Sequence, residues 1–130
     1  MCKEAINATG AAAVGPYSHG MKSNGFVYLS GQTPIDSVTG HVVSGGIEAQ
    51  VRQCFRNLQE VLAAADLKLD HVVKCNVFLT DMNDFAAMNG VYAEHFSKPY
   101  PARTTIGVAS LPLGANVEIE MIAVAADMVE

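Results

Sequence analysis

The order in which two apolar periodicities follow one another along the chain constrains this fold more than any other sequence feature. Segments in which apolar residues alternate with a period of two precede, separate and follow two segments with helical spacing. Helices are predicted near residues 47–65 and from Phe85 until Lys98-Pro99 stops the second one. This order favours an α+β domain in which both helices pack on one face of a single sheet.

The strand segments predict where that sheet turns and which faces it buries. Asn24-Gly25 predicts a tight hairpin before a strand at 26–32, in which Gly31 suggests a bulge or a close backbone approach. The strands at 71–80 and 117–125 each have one apolar face, which the helices are expected to cover. In the first of these two strands, that face is predicted to contain Val73, Cys75, Val77 and Leu79.

Length, composition and charge limit the class of protein. The 130 residues fit one domain, 1–130, and 50% of them are hydrophobic, which is enough for a full core. The formal charge of −5 and the scattered basic residues argue against nucleic acid as a partner. No run approaches the ~20 apolar residues of a membrane span, and the N-terminus lacks the apolar core of a signal peptide. The surplus of apolar surface indicates self-association.

Cysteine and histidine residues do not form a pattern typical of a metal site. Cys2, Cys54 and Cys75 are odd in number and lack metal-ligand spacing, and the four histidines are far apart in the sequence. No metal is therefore expected, and the balance favours a reducing, cytoplasmic setting.

A lone cation interrupts the uncharged strand that follows Tyr100-Pro101. Alternation puts Arg103, Thr105 and Gly107 on one face of this strand. An arginine cannot lose its proton, so burying it is costly unless an anion meets it. The anion is either a protein carboxylate or the carboxylate of a ligand held by the two-pronged guanidinium.

The faces left uncovered by helices are expected to mix charged and apolar side chains, which suits an oligomer interface. On that surface Lys74 is predicted to pair with Glu120, which leaves Arg103 and Glu118 as a cation and a carboxylate in the same layer. The two either pair with each other or share a small ligand, with Arg103 gripping its carboxylate and Glu118 directing a water. The full predicted set is Lys74, Asn76, Arg103, Thr105, Glu118 and Glu120, interleaved with Phe78, Ile122 and Val124.

An ordered set of short motifs, which runs from about Gly15 to Ala125, resembles the reactive-intermediate deaminase (Rid) family, also called the YjgF family. These motifs are Gly15-Pro16-Tyr17, Ser30-Gly31-Gln32, Asn83-Asp84-Phe85, Asn89, Tyr100-Pro101-Ala102-Arg103 and Val117-Glu118-Ile119-Glu120. The resemblance implies a chorismate-mutase-like fold, a six-stranded, mostly antiparallel sheet with two helices on one side. It also implies homotrimers in which the sheets form a central barrel and the sites lie in clefts between subunits.

The same resemblance implies an activity without a cofactor. Family members hydrolyse reactive 2-imino acids and their enamine tautomers, such as 2-aminoacrylate and 2-iminobutyrate, to 2-oxo acids and ammonia. Arg103 matches the arginine that holds the substrate carboxylate, and Glu118 matches the carboxylate that orients or activates water. The matched substrate-binding positions are Tyr17, Ser30, Gly31, Phe85, Asn89 and Thr105.

Two positions depart from the family pattern. Thr105 lies where many members have cysteine, which removes a thiol but keeps a small polar side chain. Asp66 replaces the glycine usual after the first helix, and local strain or a changed helix end is expected there.

Other functions stay open on the sequence. A chorismate mutase would need several cations for a substrate with two carboxylates, and Arg103 has no obvious cationic partner in the matching motifs. A non-catalytic carboxylate-binding, chaperone or regulatory protein, or a ribonuclease-like regulator, is the alternative within the family, although the acidic charge disfavours RNA.

Overall fold

A computed structural model of the chain describes residues 2–8 and 15–125. Six strands form one sheet in the order β1-β2-β3-β6-β4-β5, and every neighbouring pair is antiparallel except β4 and β5. This architecture confirms the predicted α+β class and the mostly antiparallel sheet. The elements are β1 (Glu4–Ile6), β2 (Gly20–Ser23), β3 (Phe26–Gln32), α1 (Ile47–Ala64), β4 (Val72–Leu79), α2 (Phe85–His95), β5 (Ala102–Gly107) and β6 (Val117–Val124).

The core lies between the sheet and the two helices. The apolar stripe of α1 packs on β3 and β6 and also contacts α2, so both helices cover the same side of the sheet. Burying each Leu, Val or Phe of this core stabilises the fold by about 1.5–3 kcal/mol. Fully buried members include Val51, Phe55, Leu58 and Leu62 of α1, Met88 and Val91 of α2, and Val27, Val77, Leu79 and Ile119 of the sheet.

Turns and irregularities in β2 and β3 follow the sequence prediction. Asn24 (φ 53°) and Gly25 (φ 81°) form the two-residue hairpin turn, and both have the left-handed conformation that such a turn requires. The ladder between β3 and β6 steps from Leu29 opposite Met121 to Gln32 opposite Ile119, so two residues of β3 face one residue of β6. This bulge contains Gly31, as predicted.

The prediction for the apolar face of β4 is wrong for its first residue, Val73. Val73 is exposed and Val72 is buried, because the ladder with β6 shifts between Val72 and Lys74. A bulge of one residue moves the start of the strand out of phase with its remainder.

The structure also corrects the face assigned to Arg103 and Thr105. In the parallel pairing of β4 with β5, Arg103 is the partner of Cys75 and Thr105 that of Val77, so both lie on the side covered by the helices. The predicted alternation is right, but the side was misassigned, because β5 is an edge strand whose helix-facing positions remain partly solvated and can be polar. Glu118, in contrast, lies on the open side of β6, as expected.

The predicted pair of Lys74 with Glu120 is not formed. The register places Asn76 opposite Glu120, and the Asn76 amide donates to the Glu120 carboxylate over 2.9 Å. Lys74 Nζ instead donates to Thr104 Oγ1 on the neighbouring strand, over 3.0 Å. Across residues 2–8 and 15–125, the one ion pair joins the exposed side chains of Arg52 and Glu94.

Within the same residues, neither helix is long and apolar enough to span a membrane.

Candidate active site

A cleft lies where α2 passes the edge strand β5, and Arg103 forms one of its walls. Its volume is about 470 Å³. Arg103 projects toward α2 because alternation in β5 directs it to the helix side. The cleft is lined by Asn89, Tyr92, Ala93, Tyr100, Pro101 and Arg103.

The guanidinium of Arg103 is oriented by aromatic rings. Its central carbon lies 4.7 Å from the centre of the Tyr92 ring and 5.7 Å from that of Phe85. Phe85 and Tyr92 are seven residues apart on α2, so both rings lie on the same side of that helix. Stacking of this kind holds the planar group by its face and leaves its N–H edge available to hydrogen-bond an anion.

No carboxylate neutralises Arg103 within the part of the chain that the structure describes. The sequence left two partners open for this residue, a protein carboxylate or the carboxylate of a ligand. Glu118 of the same chain is excluded as the protein partner, because it lies on the opposite face of the sheet. Arg103 is only partly buried, so part of this residue remains in contact with solvent. The arrangement is that of a group ready to bind the carboxylate of a ligand.

Neutral groups surround this cation. Burial raises the pKa of the Cys75 thiol to about 11, with Tyr92 and Arg103 acting in the opposite direction. Burial, followed by the influence of Cys75, raises the pKa of Tyr92 above that of a free tyrosine. Both groups are therefore uncharged at neutral pH, and neither offsets the positive charge of Arg103.

Several oxygens around Arg103 have no hydrogen-bond partner among the described residues. These buried atoms are Asn89 Oδ1, the Tyr92 hydroxyl and Thr105 Oγ1. The Tyr92 hydroxyl has the Cys75 thiol as a polar neighbour, but the two groups do not meet the geometry of a hydrogen bond. Unpartnered polar atoms cost stability and concentrate at functional sites.

Glu118 belongs to a second group of predicted site residues, on the open face of the sheet. Its carboxylate lies directly against the backbone of Gly31, where a Cβ atom would stand 2.9 Å from Glu118 Cδ and overlap Oε2. Burial, and then the charge of Glu120, raises the pKa of Glu118 above its ordinary value. Only glycine leaves room for this carboxylate at the bulge of β3.

Tyr17 and Ser30 lie beside this second group. They help to line a hollow of about 280 Å³ on the β2–β3 hairpin. The Ser30 hydroxyl donates to the Ser18 carbonyl over 2.7 Å, and the Ser30 N–H donates to the His19 carbonyl over 2.9 Å. Ser30 is predicted to bind substrate, but its hydroxyl proton already holds the Tyr17 loop in place.

The eight predicted site residues thus separate into two clusters on one chain. The Arg103 cluster consists of Phe85, Asn89, Arg103 and Thr105, on the helix side at β5. The Glu118 cluster consists of Tyr17, Ser30, Gly31 and Glu118, on the open side around β3 and β6. Strand β4 separates β5 from β6, so the two clusters do not meet within one molecule.

Tyr92 is the site residue that sequence reasoning missed. Its position on the apolar stripe of α2 indicates a core residue, and it is indeed 6% exposed. The available signal is its spacing of three from Asn89 and seven from Phe85, both of which belong to the matched motifs.

Comparison with known proteins agrees with this fold and with these motifs. The sequence model of a family described as Endoribonuclease L-PSP matches residues 7–125. A goat protein named 2-iminobutanoate/2-iminopropanoate deaminase is 44% identical over 117 residues, which cover 90% of this chain and 85% of that protein.

Two solved structures extend the comparison. YyfA of Yersinia pestis, described as a protein of unknown function of the conserved Rid family, superimposes with a TM-score of 0.91 at 42% identity, covering 95% of this chain and 99% of that one. TdcF of E. coli, solved with bound serine, has a TM-score of 0.86 at 37% identity, covering 93% of this chain and 98% of that one.

Proposed function

We propose that this chain, which belongs to the Endoribonuclease L-PSP family (the Rid or YjgF family), hydrolyses reactive 2-imino acids to 2-oxo acids and ammonia. The observation that supports this function most is the Arg103 guanidinium, which lines a cleft, stacks on Tyr92 and has no carboxylate partner in residues 2–8 and 15–125. The deaminase name of the goat relative and the serine bound to TdcF also support a small amino-acid-like substrate.

Binding begins at the carboxylate of the substrate. Two parallel N–H groups of Arg103 donate to its two oxygens, while the Tyr92 ring keeps the guanidinium plane from rotating. Such a two-point contact fixes the C1–C2 axis of the substrate and directs the imine carbon toward the attacking water. Positioning of this kind contributes several kcal/mol, within the ~7–11 kcal/mol available to an ideal entropy trap.

Glu118 then handles the protons of the reaction. Its raised pKa makes it a stronger base than an ordinary carboxylate. As the water oxygen bonds to C2 and the C=N π electrons move to nitrogen, Glu118 accepts a proton from that water. It returns this proton to nitrogen, which gives a carbinolamine. The hydroxyl of the carbinolamine then gives up its own proton, which passes through Glu118 to nitrogen while the C=O bond forms and the C–N bond breaks, so the imine and one water become the 2-oxo acid and ammonia. 2-Aminoacrylate and 2-iminobutyrate are the proposed substrates, and no cofactor enters these steps.

The site requires more than one copy of the chain. Arg103 and Glu118 lie on opposite faces of the same sheet, so one chain cannot present both to one small molecule. We propose a homotrimer in which the Arg103 cluster of one subunit faces the Glu118 cluster of the next. Exposed aromatic and aliphatic side chains on the open face, such as Tyr28 at 46% exposure, support burial against another copy.

In the cytoplasm, this activity would remove the reactive imines that pyridoxal-phosphate enzymes release, before these imines damage other enzymes. A chain that binds carboxylates without hydrolysing imines is the alternative, and only a turnover measurement separates the two.

The test generates 2-aminoacrylate or 2-iminobutyrate in situ with a dehydratase and follows the release of the 2-oxo acid. We expect the protein to accelerate release, and we expect Arg103→Ala to remove the acceleration. Arg56→Ala, at an exposed arginine on α1, serves as the matched control and should retain full activity. Release that proceeds at the uncatalysed rate with the folded wild-type protein would refute the proposal.

A further inference from the structure

Helix α1 has a stripe of buried amide side chains in an otherwise apolar interface. Gln50, Gln53 and Asn57 are 6%, 9% and 8% exposed, respectively. Their spacing of three and four residues puts them on one side of the helix, facing the ends of β3 and β6. Buried amides are costly unless their hydrogen bonds are satisfied, so their partners indicate what the stripe does.

Asn57 hydrogen-bonds to the backbone of the segment that follows β3. Its side-chain nitrogen donates to the carbonyls of Thr33, over 3.1 Å, and Ile35, over 2.9 Å. Gln53 Nε2 donates to Asn57 Oδ1 over 2.8 Å, which fixes the amide with its nitrogen toward the loop. All three bonds therefore depend on one orientation of Asn57.

Gln50 hydrogen-bonds to the backbone of the segment that precedes β6. Its Oε1 accepts from the N–H of Asn116 over 2.9 Å. Asn116 is two residues before Glu118, and Thr33 is two residues after Gly31. One helix face thus holds both segments that enter the contact between Gly31 and Glu118.

Backbone pairing alone does not fix that contact. At the bulge between Leu29 and Gln32, the ladder skips Ser30 and Gly31, so neither has a partner residue in the pairing with β6. The position of the Gly31 backbone over the Glu118 carboxylate is left to the segments on either side. Before Gly31, Ser30 is held by its hydrogen bonds to Ser18 and His19. The amide stripe restrains the segment after Gly31, through Asn57, and the segment before Glu118, through Gln50.

We propose that Asn57 is a positioning residue for Glu118, acting through Thr33 and Ile35 to keep the Gly31 backbone against the carboxylate. This inference rests on the proposed function, in which Glu118 handles the protons of imine hydrolysis. Gln53 orients Asn57, and Gln50 performs the same task from the β6 side. Loss of the hydrogen bonds made by Asn57 or by Gln50 increases the solvation of Glu118 and lets the carboxylate leave its place.

The first test does not depend on activity. The carboxyl carbon of Glu118 is followed by NMR during a pH titration of the wild type, of Asn57→Ala and of Leu62→Val, a buried control in the same helix. We expect the Glu118 midpoint to move toward that of a solvated glutamate in Asn57→Ala and to stay in place in Leu62→Val. An unchanged midpoint in folded Asn57→Ala would overturn the proposal, even if the protein had lost stability.

Kinetics provides the second readout. In Asn57→Ala, kcat should fall about tenfold or more, because small displacements of a catalytic group are costly, while KM should change less than about twofold, because Arg103 binds the carboxylate elsewhere. A rise in KM at constant kcat would contradict the assignment. If the wild type does not hydrolyse imines, the proposed function fails, while the titration still tests the positioning role of Asn57.

Gln50→Ala is the second variant if Asn57→Ala does not fold. It releases Asn116 alone, and the same movement of the Glu118 midpoint is expected. A midpoint equal to that of the wild type would overturn the role of the stripe.

Discussion

The guanidinium carbon of Arg103 lies 4.7 Å from the centre of the Tyr92 ring, while no carboxylate pairs with it among the described residues. An aromatic face attracts the cation without competing for its N–H groups. The stack thus prepares Arg103 for a ligand, whereas a salt bridge would have occupied it.

Two substitutions at Tyr92 distinguish the contribution of the ring from that of the hydroxyl. Tyr92→Phe should keep ligand affinity within about twofold and raise stability by about 1 kcal/mol, because the buried hydroxyl has no partner in the described chain. Tyr92→Leu should weaken 2-oxobutyrate binding about tenfold through loss of the cation–π contact and of the restraint on Arg103. Calorimetry measures the ligand affinity of each variant, and thermal unfolding measures its stability. Equal affinities for Phe and Leu at this position would show that the stack is unimportant.

Glu118→Gln should stabilise the protein at neutral pH and abolish turnover. Burial disfavours the charged form, so the pKa of Glu118 is higher in the folded than in the unfolded state. Above the folded pKa the charge destabilises the native state, and below the unfolded value, about 4.3, both states are neutral and the cost is absent. The Tm advantage of Glu118→Gln should therefore shrink as the pH falls and disappear near pH 4. A variant less stable than wild type at pH 7 would contradict this account.

Ser30→Ala should loosen the Tyr17 loop. The change removes the hydrogen bond to the Ser18 carbonyl, which contributes about 1 kcal/mol, and leaves the backbone bond to His19 in place. Hydrogen exchange at residues 17–20 should accelerate, with little change in α1. Ser110→Ala, at an exposed position, is the control, and identical exchange in both variants would argue that the hydroxyl does not hold the loop.

Asp66→Gly should stabilise the end of α1. Asp66 has φ 59°, and the N–H groups of Asp66 and Leu67 donate to the carbonyls of Ala63 and Leu62, which is the Schellman pattern. Glycine adopts this left-handed conformation without strain, so the free energy of unfolding should rise by about 0.5–1 kcal/mol. Chemical denaturation measures it, and Asp66→Ala should be less stable than Asp66→Gly. The reverse order would mean that the aspartate side chain compensates for the strain.

Much of the fold follows from local rules that operate on few residues. Asn24-Gly25 determines the hairpin, the stripe through Phe55 and Leu58 determines α1, and Gly31 indicates the bulge, because each depends on backbone preferences or on periodicity. Val73 could not be predicted, because the bulge that exposes it depends on pairing with β6 and has no signal within β4.

The arrangement of the site follows from tertiary structure. A polar β5 resembles the open face of a sheet in composition, and only its parallel pairing with β4 shows that Arg103 and Thr105 point toward α2. Tyr92 has the burial of a core residue, and its contact with a cation depends on where α2 crosses β5. Motifs could therefore indicate the eight predicted residues, but neither the role of Tyr92 nor the separation of these residues into two clusters.

Titration of 2-oxobutyrate into wild type, Arg103→Lys and Arg56→Lys, followed by calorimetry, tests most directly whether Arg103 is the carboxylate-binding group. Lysine keeps the charge but loses the two-pronged geometry and the flat face that stacks on Tyr92. We predict that Arg103→Lys binds at least about tenfold more weakly than wild type, a loss of about 1.4 kcal/mol, and that Arg56→Lys binds as wild type does. Undiminished affinity in a folded Arg103→Lys protein would contradict the account.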